Sequence, residues 1–527
     1  MQRWFVFRLF IAAGALATAL CAAPAQAAAA DPANSSNAAA PAAISAAQCR
    51  QLGGWGGDPE IAARFTRIRD APVAIETAEV LPAKDGLPEV CHLIGYVAPS
   101  IGFELRMPTK GWNGKFMMQG CGGYCGSLHT DRADVALARN YAVASTDMGH
   151  KIKSWLFAYN NIQGEIDFAY RSTHVVAMAT KVIIDTYYNK PPARSYFMGC
   201  STGGRQAMVE AQRFPKDFQG IIAGAPPLNE TADGTLSLLW SARANIDTSG
   251  KPILDASKLP LIHGAVLKAC GGKGGVLLDP AACHWDPGAL LCRPGQSGQQ
   301  CLTEAEAGVV RKIYSGATTS QGEHLYYGMP RGSEYNWTPD FIGANGKAGA
   351  DIAPAGGPIT GFANNMAFFY DEPPSYGGAQ YDYDKDPQRM ALTEALYNAE
   401  NPDLRKFKAA GGKLILYHGW DDNEVPALGS VDYYETATRT MGGPAPTRDF
   451  FRAFLLPGSG HCFGGPGGGE ADWITYLENW VEQDHAPDAV TVYKMATDAY
   501  LPRPRHPLKP SEYSSTRVVY PYPRLPE

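Results

Sequence analysis

From residue 92 the chain alternates short apolar runs with longer stretches of helical spacing. Phe103-Glu104-Leu105-Arg106-Met107-Pro108 alternates apolar and polar side chains, the period of a half-buried strand. Trp112-Asn113-Gly114 is a turn, and Lys115 to Gln119 and Tyr141 to Asp147 predict two further strands. Val175 to Tyr188 is mostly apolar at helical spacing and lacks Gly and Pro. Ser195 to Met198 predicts a strand, Arg205 to Ala211 a helix, and Gly220 to Pro226 another buried strand. Strands alternating with helices predict a mainly parallel sheet with helices on both faces, an α/β fold.

That rhythm stops at residue 228 and resumes near 403. Between them Gly, Pro, Asn, Tyr and Asp dominate, which predicts an inserted second domain. The α/β pattern returns at Gly412 to Gly419, a strand ending in Trp420-Asp421-Asp422. A helix is expected around Ser430 to Thr440, then a strand from Phe451 into the Gly-rich loop Pro457 to Cys462. Asp472 to Gln483 reads as the closing helix, and the Pro-rich tail after Leu501 is expected to wrap the surface.

Length agrees with this division, since 527 residues exceed what one core supports. The net charge of −6 comes without a basic cluster, so nucleic acid is not an expected partner. Arg3 and Arg8 precede an apolar run, and Ala25-Gln26-Ala27 fits a cleavage site. Residues 1–27 therefore read as a secretory signal peptide and 28–48 as a disordered, Ala-rich leader. No later stretch reaches the apolar length of a membrane span, so the expected location is secreted or periplasmic. Export permits disulfides. Of the eleven cysteines one lies in the signal, and an even number remains. Cys49 and Cys91 bound a small N-terminal segment that one bridge is expected to tie.

Candidate chemistry centres on Gly199-Cys200-Ser201-Thr202-Gly203-Gly204, set between a predicted strand and a predicted helix. This is the context of a nucleophile elbow presenting Ser201. A serine hydroxyl needs a base, and the base needs an orienting acid. Asp421 or Asp422, then His461, follow in chain order, each past a predicted strand. An oxyanion hole needs two N–H donors. Thr202, next to the serine, supplies one, and Gly123 in Gly120-Cys121-Gly122-Gly123 the other. Cys200 precedes the candidate nucleophile and Cys462 follows the candidate base, so a bridge between them would clamp the two loops together.

The Cys200-Ser201, Asp422 and His461-Cys462 constellation resembles the tannase and feruloyl esterase family. Trp112 to Phe116, Tyr196 to Gln206, Arg213-Phe214-Pro215, Gly224-Ala225-Pro226, Tyr417 to Trp420 and Pro457 to Cys462 are similar to it as well. The resemblance implies an α/β-hydrolase core over 49–227 and 403–527, with 228–402 as a lid. It implies Asp422 as the acid. It implies a secreted serine carboxylesterase acting on a small-molecule aromatic ester of feruloyl or galloyl type, with no membrane partner. Alternatives are hydrolysis of terephthalate monoesters and a non-catalytic binding protein on a hydrolase fold.

Departures from the family pattern carry further expectations. The stretch matching the family's calcium loop, Cys270 to Pro280, has Asp279 as its only carboxylate, so no metal or other cofactor is expected. Pro358 stands where the terephthalate-type relative has an arginine, while Phe362 is an expected aromatic contact for the substrate. Tyr520 replaces a cysteine found in relatives. The expected bridges are Cys200–Cys462, Cys49–Cys91, Cys270–Cys283, Cys292–Cys301 and Cys121–Cys125.

Overall fold

Nine strands form the central sheet, and those of its parallel part are continuous apolar runs because helices bury both their faces. They are β1 (Val73–Leu81), β2 (Val90–Val97), β3 (Ile101–Pro108), β4 (Lys115–Gln119), β5 (Ala142–Thr146), β6 (Arg194–Cys200), β7 (Gly220–Gly224), β8 (Lys413–Gly419) and β9 (Phe451–Leu456). Their order is β1-β2-β3-β5-β4-β6-β7-β8-β9. From β5 to β9 neighbours run parallel, while β1, β2 and β3 pair antiparallel at one edge. The computed structural model describes residues 46–54, 56–152, 155–296, 298–338, 341–344, 380–497 and 508–526. The signal segment, the leader up to residue 45, Pro358 and Phe362 lie outside the described residues.

Alternate residues of each central strand enter different layers. Phe116 and Met118 of β4, Phe197 of β6 and Leu414 and Leu416 of β8 pack into one. Met117, Tyr196, Met198, Ile415 and Tyr417 pack into the other. Helices cover both. α1 (Ala46–Gln51), α2 (Ser172–Tyr188) and α3 (Thr202–Arg213) lie on the first layer. The helix Trp473–Gln483 closes the second with Trp473, Leu477 and Trp480, and Asp472 caps it by accepting from the Thr475 amide.

The insertion leaves after β7 and returns before β8. Among its described residues there is no strand. It builds a separate apolar cluster, in which Ile262 and Val266 of the helix Leu259–Ala269 meet Val310 and Ile313 of the helix Glu304–Ser315 and the buried Trp337. Thr303 and Glu306 form a capping box, and Glu306 also takes a 2.7 Å hydrogen bond from Lys258.

Three readings of the sequence are corrected here. The sheet begins well before residue 92, because β1 and β2 add two antiparallel strands tied to α1 by Cys49–Cys91. α1 starts inside the stretch assigned to a disordered leader. The tail does more than wrap the surface: β11 (Tyr513–Val519) pairs with β10 (Val490–Met495) as a second, two-stranded sheet. β11 is mostly exposed and polar, so no apolar period announced it.

Candidate active site

At the end of β6 the chain reverses so sharply that Ser201 adopts φ 62° and ψ −130°. That conformation is sparsely populated for a non-glycine residue and persists only where the surroundings impose it. Here glycine makes it feasible. A Cβ on Gly199 would lie 2.4 Å from the carbonyl oxygen of Gly203, and one on Gly204 would lie 2.1 Å from that of Gly224. The strand and helix on either side of Ser201 therefore touch backbone to backbone, and the Ser201 amide donates to Gly224 O at 3.0 Å.

Behind this turn sits Arg205, wholly buried. Its guanidinium donates to the carbonyls of Ala169, Phe168 and Tyr397 and pairs with Glu230 at 3.2 Å. Sequence reasoning missed it, since one arginine in a helix ordinarily faces solvent. Glu230 and Tyr397 lie at the two ends of the insertion, so the same side chain anchors the elbow and the insertion's roots.

β8 ends in Trp420-Asp421-Asp422, and the two aspartates diverge. Asp422 is fully buried. Its Oδ2 lies 2.8 Å from Nδ1 of His461 and 3.2 Å from Nε2 of His418. Its Oδ1 accepts the amides of Glu424 at 2.8 Å and Val425 at 2.9 Å. Burial alone would raise this carboxyl, but the charge of His461 and hydrogen bonds from His418 and His461 hold it below the usual range. Asp421, equally buried, faces Tyr335 and Glu334 of the insertion. Burial, and then the charge of Glu334, push its carboxyl well above the usual range. Of the two candidates the sequence offered, Asp422 is the one brought to His461.

His418 was quoted only as part of a motif, yet it is the second partner of Asp422. Its Nε2 stands between two acceptors, Val425 O at 3.0 Å and the Asp422 carboxylate, so the partners assign the proton to Nε2. Its Nδ1 then accepts from Ser430 at 2.8 Å. The shorter contact, 2.8 Å to Asp422, gives His461 a proton on Nδ1, while Glu424 Oε2 lies 3.5 Å from its Nε2.

The loop Gly120 to Cys125 is held against the elbow. Gly120 N donates to Met198 O at 2.9 Å, Thr202 Oγ1 to Gly123 O at 2.8 Å, and Gln206 Nε2 to Cys121 Sγ at 2.9 Å. Cys121 and Cys125 are joined within the loop. Thr202 opens its helix, so its amide lacks an intrahelical acceptor. Gly123 sits at φ +56°, and its amide makes no hydrogen bond among the described residues. Gly123 and Ser201 line one cleft.

Cys200 and Cys462 are bonded, with Cα atoms 5.9 Å apart across 262 residues of sequence. Ser201 and His461 each adjoin one end of that bridge, and both line a cleft of about 1120 Å³ with Gly123. Cys49–Cys91, Cys270–Cys283 and Cys292–Cys301 are bonded too. The cleft also receives Arg132, Glu424, Glu470 and Tyr493, none of which the sequence singled out. Arg132 places its Nη1 3.1 Å from where a Gly122 Cβ would stand.

Asp279 uses its carboxylate to cap Pro280–Ala282 through the Ala282 amide at 3.3 Å. Elsewhere among the described residues, His174, Glu210 and Asp217 gather their donor atoms within 4.8 Å. Lys181 donates to the Asp217 carbonyl there and supplies positive charge, and the His174 ring stacks on Phe214 at 3.8 Å. Of these, Glu210 alone is on α3, and none of the three lines the cleft.

No helix among the described residues is long and apolar enough to cross a membrane. An uncharacterized esterase of Xanthomonas campestris pv. campestris is 32% identical over 81% of this chain and 81% of its own length. The mono(2-hydroxyethyl) terephthalate hydrolase of Piscinibacter sakaiensis is 30% identical, covering 87% of this chain and 84% of that protein. A probable feruloyl esterase B-2 of Aspergillus terreus is 29% identical over 82% of each. Among solved structures, feruloyl esterase B from Aspergillus oryzae superposes with a TM-score of 0.74 at 24% identity, over 91% of this chain and 96% of that one. That likeness establishes an α/β-hydrolase fold. Residues 87–527 match the family described as tannase and feruloyl esterase, and the chain belongs to that family of esterases.

Proposed function

We propose that this chain is an exported serine carboxylesterase that hydrolyses esters of aromatic acids through an acyl-enzyme. The observation that carries the reading is the buried Asp422 at 2.8 Å from Nδ1 of His461, a residue that lines the same cleft as Ser201. Ser201 Oγ attacks the ester carbonyl while His461 Nε2 takes its proton. The amides of Thr202 and Gly123 receive the developing oxyanion. The tetrahedral adduct collapses, and His461 returns the proton to the departing alcohol. Water repeats the cycle on the acyl-enzyme and frees the acid. In this reading residues 228–402 form the lid, and residues 1–27 direct export and are removed.

A rapid burst of p-nitrophenol from p-nitrophenyl acetate, equal to the enzyme present, is the expected result. Absence of both burst and turnover would favour a non-catalytic binding protein. Methyl ferulate, methyl gallate and mono(2-hydroxyethyl) terephthalate, compared side by side, then rank the acyl groups. Arg132 gives the terephthalate ester its place in that panel. It is exposed, makes no ion pair among the described residues and stands beside the oxyanion loop, where a guanidinium suits a substrate carboxylate.

The Cys200–Cys462 bridge is expected to act on geometry more than on affinity. Replacing both cysteines by Ser should lower kcat about 10- to 100-fold with a smaller change in KM. It should also cost about 2–5 kcal/mol in denaturant unfolding. Equal kcat in the variant would leave the bridge a purely stabilising part.

We also propose that no calcium is held at Cys270–Cys283. Calcium takes ~6–8 oxygen ligands, and the single carboxylate there already caps a turn. Metal analysis of EDTA-treated protein is expected to find none. One tightly held calcium per chain would overturn this.

A further inference from the structure

Glu424 stands two residues beyond Asp422, and the backbone fixes it there, because Asp422 Oδ1 accepts both its amide and that of Val425. Its Oε2 lies 3.5 Å from Nε2 of His461, with the side chain 48% exposed to the cleft. Among the described residues it pairs with no lysine or arginine. Asp422 occupies the Nδ1 edge of the imidazole, so Glu424 shares the edge that turns to the reacting bond. In acyl transfer that edge returns its proton to the leaving oxygen. A group held against Nε2 therefore stands beside the alcohol half of the ester.

We propose that Glu424 accepts a hydrogen bond from a hydroxyl group on the alcohol half, so that the enzyme favours esters of polyols over simple alkyl esters of the same acid. This rests on the catalytic reading of Ser201 and His461. An ionised carboxylate only accepts hydrogen bonds, and a glycol, glycerol or sugar carries donors next to its ester oxygen. Glu470 and Glu512 line the same cleft, so Glu424 is not its only carboxylate. An alcohol half carrying its own carboxylate meets repulsion there.

The test compares methyl and 1-glyceryl esters of ferulic, gallic and terephthalic acid, in the unaltered protein, Glu424→Gln and Glu424→Leu. The unaltered enzyme is expected to prefer the glyceryl ester. In Glu424→Leu the glyceryl-to-methyl ratio of kcat/KM falls about tenfold, as for one charged hydrogen bond in a partly exposed site. The loss appears mainly in KM, and Glu424→Gln, which keeps an acceptor oxygen, falls less. Active-site titration with p-nitrophenyl acetate counts folded enzyme in each preparation. An unchanged ratio, with both esters slowed alike and the pH profile displaced, overturns the proposal and makes Glu424 a partner of His461 alone. Failure of the unaltered protein to turn over any of the esters defeats the catalytic reading, and this inference with it.

Discussion

Ser201→Ala is expected to lower kcat for p-nitrophenyl acetate by about 10⁶-fold, abolish the burst and leave the fold intact. Losing the nucleophile of a serine triad costs about as much as losing all its members, because base and acid then have nothing to activate. What survives is the modest stabilisation given by the oxyanion donors and by binding. The fold is spared for a local reason. Ser201 makes its structural hydrogen bond through the main chain, to Gly224 O at 3.0 Å. Alanine keeps that amide, and it bears the same positive-φ strain as serine. Unaltered thermal unfolding beside a silent active site is the expected pair of measurements. A variant that still shows a full burst would remove Ser201 from the mechanism.

Asp422→Asn should cost about 10⁴ in kcat, whereas Asp421→Asn stays within about threefold. The adjacent aspartates make this a controlled comparison. In Asp422, one oxygen accepts two main-chain amides, from Glu424 and Val425. An asparagine oxygen is drawn to that side, which turns its NH₂ toward His461 and His418. Nδ1 of His461 must then become an acceptor, and the proton moves to Nε2, where a base is needed. The NH₂ also confronts the N–H of His418. Asp421 has no such role, since its carboxyl faces Tyr335 and Glu334 and is held above the usual range by burial. Steady-state kinetics on both variants settle the assignment. Equal losses would make the two aspartates a joint structural unit.

The parallel half of the sheet was legible because each strand is a short apolar run followed by a glycine or a polar residue. Those strand ends also carry Ser201, Asp422 and His461, so the site came with the fold. The antiparallel edge was not legible. β1 is half-exposed along most of its length and gains its place by pairing with β2. β11 is more exposed still, and its partner β10 precedes a stretch of unrelated composition. Residue type alone also left Asp421 and Asp422 interchangeable; the family resemblance pointed to Asp422, and in the structure it is Asp422 that stands at His461. His418, Arg205 and Gln206 stayed hidden for one reason. Arg205 and Gln206 act through partners far off in sequence, and His418 through groups that only the fold of its own loop brings together, and neither leaves a periodic trace.

The bridge between Cys200 and Cys462 has a topological consequence. The bonded residues lie 262 positions apart, and the whole of 228–402 falls inside the ring they close. A single proteolytic cut anywhere in that insertion opens the ring without dividing the molecule. The half bearing Ser201 and the half bearing His461 stay covalently joined next to their reacting groups. Nicking the insertion therefore leaves its parts joined, and separating them takes a reductant as well as a protease.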